Sequence, residues 1–139
     1  MKAKNIEEFF GTLQQATVEA WKEHLKTDKY SKHIALNDFY EDVVELVDTL
    51  IEDYMGIYGK VSDYKNIMTT EKIGAVEYLE SLREMCKEAA DDLFDEDEKE
   101  FNESKGYTEK NSSKEELTDI QKELEAKFDE LFGSIDDDE

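Results

Sequence analysis

The chain has 139 residues, 38% of them hydrophobic, which suffices for one modest core that oligomerisation would reinforce. Its 17 basic and 38 acidic side chains give a net charge of −21, which disfavours direct binding to nucleic acid or to an anionic membrane surface. The acidity is uneven: residues 1–70 carry 8 basic and 13 acidic side chains, a balance of −5, whereas residues 71–139 carry 9 and 25, a balance of −16.

A single cysteine, Cys86, leaves no intrachain disulfide, and no apolar run approaches the length of a signal peptide or a membrane span. The expected location is therefore cytoplasmic. There is no proline, and apolar residues recur at intervals of three and four, the period of helices with one buried stripe.

Asn5, with Glu8 three residues on, is the N-cap of a first helix that carries Ile6, Phe10, Leu13, Thr17, Ala20 and His24 on one face and ends near Lys26. A polar turn, Thr27 to Ser31, leads into a second helix whose stripe of Leu36, Tyr40, Val43, Val47, Leu50 and Tyr54 ends at Gly56. So short a connection implies antiparallel packing of the two. Ile57 to Thr69 reads as a long ordered crossover that caps one end of the molecule.

Thr70 opens a third helix with Ile73, Val76, Leu79, Leu82, Cys86, Ala90 and Leu93 on one side, diluted by the acidic run Asp95 to Glu100 and followed by a polar linker from Asn102 to Asn111. Ser113 and Glu116 form a capping box for a last helix with the stripe Leu117, Ile120, Leu124, Phe128, Leu131 and Ile135. The expected architecture is all-α, a four-helix bundle over residues 1–135, with residues 136–139 as a disordered acidic tail.

Chemistry-bearing residues are few. The only two histidines, His24 and His33, flank the short turn and should lie close together as half of a metal site. Asp48 and Glu52, at i and i+4 on the second helix, could complete it. His33 and Asp48 are nonetheless about 22 Å apart along one helix at 1.5 Å per residue. Closing the site therefore demands a dimer in which two antiparallel second helices, related by a twofold axis, set the histidines of one chain against the carboxylates of the other. The structural alternative for the same residues is that both histidines cap a bundle end while Asp48 and Glu52 are solvated surface acids.

The stretch Trp21 to Gly56, with His33-Ile-Ala-Leu-Asn-Asp-Phe-Tyr-Glu-Asp and Val47-Asp-Thr-Leu-Ile-Glu52, resembles the first half of the Dps-type miniferritins, in particular small phage-encoded proteins of that kind. The resemblance implies a ferritin-like fold and an iron-oxidising site shared between subunits, with His24, His33, Asp48 and Glu52 as ligands. Against the family pattern, Asn37 stands where an acid is usual, Leu25 where a tryptophan is, and Asp53 where a basic residue is, and the basic DNA-binding tail of some relatives is missing. The Glu-x-x-His signature of intrachain di-iron centres is also missing, since Trp21 and Tyr30 precede the histidines by three.

A different class of function is an acidic, non-enzymatic interaction protein, in which Asp91 to Glu100 imitates a DNA phosphate track and engages a basic protein partner as a phage-encoded inhibitor would. That run is no calcium loop, because Glu100 stands where an EF-hand requires glycine. Cys86, on an apolar stripe without a nearby histidine, reads as a structural thiol. Trp21, Phe9, Phe10, Tyr40 and Tyr54 fall at helical spacing as core or interface residues.

Overall fold

In the computed structural model, residues 3–92 and 114–136 are described, and among them every regular element is helical. Helix α1, Ile6–Lys26, starts where the Asn5 side chain accepts from the Glu8 N–H at 2.9 Å, and Glu7 and Glu8 sit on its positive end. Its buried face is broader than one stripe and includes Phe9, Phe10, Leu13, Ala16, Ala20 and His24, while Thr17 is half-buried.

Helix α2, Tyr30–Tyr58, begins inside the expected turn and runs straight through Gly56, which is buried. It stops only at Gly59, whose φ of 105° breaks the helix. Tyr54 and Tyr58, with ring centres 4.7 Å apart, and the partly buried Ile57 extend its core face beyond Gly56. The Phe10 and Tyr54 rings meet edge to face at 5.3 Å, joining the start of α1 to the end of α2 and making the pair antiparallel.

The crossover does not cap an end of the molecule. Residues 60–69 form no regular element and run alongside α1 in the same direction: Lys65 N–H donates to the Glu7 carbonyl (3.0 Å), Ile67 N–H to the Thr12 hydroxyl (3.1 Å) and Thr70 N–H to the Glu19 carboxylate (2.8 Å). The register is set by geometry. Five extended residues span about 16 Å, and twelve helical residues about 18 Å, so successive anchors stay aligned. Contact is close enough that a Cβ on Gly11 would lie 2.6 Å from the Lys65 carbonyl oxygen.

The expected third helix is two. Helix α3, the single turn Thr70–Ile73, ends at Gly74 with φ 81°, and α4, Ala75–Asp92, follows. Within α4 the buried face is Tyr78, Leu79, Leu82, Met85, Cys86 and Ala89, and Val76, in its first turn and to one side of that face, is 61% exposed rather than buried. The side chain of Ala90 and the whole of Leu93 lie outside the described residues, as do the acidic run from Asp95, the linker Asn102 to Asn111 and Ser113 of the capping box.

Helix α5, Lys114–Asp136, buries Leu117, Ile120, Leu124, Phe128 and Leu131 as its period requires. Asp136, expected in the tail, is its last helical residue, and residues 137–139 and the Ile135 side chain are not among those described. Helix α5 packs antiparallel on α2 through Phe39 and Phe128 (5.1 Å) and the Lys127–Asp42 ion pair (2.6 Å), and on α4 through Arg83, which pairs with Asp129 at 3.0 Å and lies over Phe132. Helix α4 in turn packs on α1. One core cluster reaches from Ala3 to Leu131, and no described helix is long and apolar enough to cross a membrane.

Candidate functional site

The α1–α2 turn brings the two histidines face to face. Their ring centres are 3.8 Å apart and their planes differ by 24°. Each imidazole reaches across to the other helix: His24 Nδ1–H donates to the His33 carbonyl at 3.0 Å, and His33 Nδ1–H to the His24 carbonyl at 2.8 Å. The His24 carbonyl belongs to the last turn of α1, where no further helical N–H exists to claim it, so the second of these bonds caps α1.

A carbonyl oxygen can only accept, which fixes a proton on each Nδ1. In the neutral ring the Nε2 lone pair is then left for a ligand, the arrangement by which proteins orient metal-binding imidazoles. Tyr40, whose hydroxyl donates to Asn37 at 3.1 Å, closes on His24 at 5.4 Å and stacks on Trp21 at 6.4 Å. His24 is buried, His33 half-buried.

Asp48 and Glu52 share one face of α2 as their spacing requires, Asp48 exposed and Glu52 half-buried. Because α2 is continuous from Tyr30 to Tyr58, Asp48 stays roughly 22 Å and Glu52 roughly 28 Å along the helix from His33. Among the described residues no group of three or more His, Cys, Asp or Glu side chains is placed to hold a metal ion. In a single chain the two histidines and the two carboxylates are thus two separate pairs. Asp48 also lines a surface groove of about 510 Å³ between α1 and α2, with Gln14, Thr17, Val18, Val44 and Ile51 among its walls.

Two further polar features went unread in the sequence. Glu19, 1% exposed, accepts from the Thr70 N–H and hydroxyl (2.8 Å each) and from Gln15 (2.8 Å), with Lys22 at 3.5 Å. Burial works to raise its pKa, but the Thr70 N–H, then Gln15, the Thr70 hydroxyl and the Lys22 charge outweigh it and hold the carboxyl below its usual value. The signal was available: an acid between Ala16 and Ala20 falls inside the apolar face. Gln121, also buried, donates to the Cys86 carbonyl and so ties α5 to α4. Burial, and after it the Glu125 charge, pushes the Cys86 thiol well above its ordinary range, consistent with a structural role.

No curated protein and no solved structure matches the chain. Residues 24–137, a span that begins at His24 and contains all four candidate ligands, match a family of unknown function (DUF5856), and the chain belongs to that family.

Proposed function

We propose that this protein is a ferritin-like four-helix bundle that pairs through α2 and takes up iron at a site built by two chains, His24 and His33 from one and Asp48 and Glu52 from the other. The fold part rests on the crossover. An antiparallel pair, a connection returning the length of α1, and a second antiparallel pair closing the ring α1–α2–α5–α4 is the topology of bundles with one long crossover, of which ferritin-like proteins are an example.

The observation that carries the metal reading is the reciprocal Nδ1 bonding of the stacked histidines, which leaves both Nε2 atoms as donors. Two imidazoles and two carboxylates suit iron or manganese. Iron is substrate here, each Fe²⁺ giving one electron to dioxygen or peroxide. The carboxylates stabilise the higher charge of Fe³⁺, and the backbone carbonyls hold the rings in place. The test is anaerobic addition of Fe²⁺ followed by elemental analysis and light-scattering mass: bound iron in a dimer or larger assembly, lost in His33→Ala and in Asp48→Ala, supports the reading, and a metal-free monomer refutes it.

The exposed carboxylates of α4 and α5, among them Glu80, Glu84 and Glu123, favour a second reading, a scaffold for a basic protein partner. Under it, Glu80→Lys with Glu84→Lys weakens capture of a lysine-rich peptide while His33→Ala does not.

A further inference from the structure

The outer face of α1 and α2 carries a protruding side chain and a hole of matching character side by side. Trp21 is 51% exposed, with one indole face stacked on Tyr40. One turn back on the same face of α1, Thr17 and Val18 form a wall of the 510 Å³ groove, which Val44, Asp48 and Ile51 of α2 close. Val18 and Val44, the groove walls nearest Trp21 and Tyr40 in sequence, are 40% and 50% exposed.

We propose that a second copy of this chain docks on this face, its Trp21 filling the groove of the first while the first copy's Trp21 fills its own. This deepens the pairing proposed above, on which it rests, by naming the knob and the hole. An isologous interface requires each contact to occur twice, residue i on j and j on i, and a surface holding both knob and hole meets that condition by itself. A twofold axis midway between them passes near Val18 and Val44, which then meet their own copies.

Charge selects the antiparallel arrangement. Residues 22–33 carry four lysines and two acids, whereas residues 38–53 carry seven acids and no base. A twofold across the hairpin sets the lysine-rich tip of one copy on the acidic stretch of its partner, and a parallel arrangement would stack like on like. A two-helix face about 20 Å wide and about 40 Å long offers on the order of 800 Å² per partner, the size of a stable interface. Tyr40 pre-orients the indole, so little side-chain freedom is lost on docking.

Trp21 is the sole tryptophan, which makes the unmodified protein its own probe. The experiment is a dilution series followed by sedimentation mass, tryptophan emission and acrylamide quenching. The expected result is a dimer whose emission is blue-shifted and protected and moves to the red as the dimer dissociates. Trp21→Ala, and independently Val44→Trp to obstruct the hole, should each weaken dimerisation by at least about 30-fold with helical circular dichroism unchanged. A dimer whose Trp21 is open to acrylamide, or whose dissociation constant is unmoved by Trp21→Ala, overturns this inference and leaves the shared iron site standing. A protected dimer that binds no iron supports the inference and refutes the iron site. A monomer at all concentrations, including one that captures an unrelated apolar peptide in the groove, overturns both.

Discussion

At the scale of single residues, two of the α1 positions that meet the crossover, Gly11 and Glu19, are testable. Gly11 is where the backbone of Lys65 touches α1, and a methyl group there would overlap main-chain atoms that no rotamer change can move. Gly11→Ala, which on an exposed helix would stabilise by up to about 1 kcal/mol, is expected to destabilise by about 3 kcal/mol or more, read as a lowered urea midpoint. Glu19 makes stability depend on pH. Its folded-state pKa is held below the ordinary 4.5, so its stabilisation is complete above that pH and is lost as the pH falls through the lowered value. Between about pH 5 and 3, Glu19→Gln should therefore lose less stability on acidification than the parent chain, and coincident pH profiles would disprove the latch.

At the scale of elements, helix boundaries were legible wherever a local hydrogen bond or a period decided them. Asn5 and the α5 stripe needed only neighbours three and four residues away. The end of α2 and the division of the third helix at Gly74 needed more, because a glycine within a helical pattern reads alike whether it is traversed, as Gly56 is, or turned upon at positive φ, as Gly59 and Gly74 are. Helix α5 joins the molecule through α2, with Phe128 fully buried against Phe39. Phe128→Ala should cost about 3–5 kcal/mol, and calorimetry should show the loss in one cooperative transition if α5 and the α1–α2 pair share a core.

At the scale of the whole molecule, the proposed iron site needs two chains, because His33 and Asp48 lie about 22 Å apart along the same helix. Shared construction has a signature that a single-chain site lacks. Mixing equal amounts of His33→Ala and Asp48→Ala chains forms heterodimers in which one site draws both intact halves and the other draws none. Iron uptake, absent in either variant alone, should return to about a quarter of the parent level after subunit exchange. No recovery would argue for separate sites or none.

By itself the sequence determined the all-helical class, the closeness of the two histidines across a short turn, the separation of His33 from Asp48 and Glu52, and the concentration of acid in the second half. These follow from local periods, short loops and composition. Only the tertiary structure decided that the crossover runs along α1 on Gly11, Thr12 and Glu19, that each histidine spends its Nδ1 proton on the other helix, and that Trp21 stands half out of the molecule beside a groove. Each of those depends on which residues distant in sequence approach within a few ångströms, and helical periodicity carries no record of the neighbour across the gap.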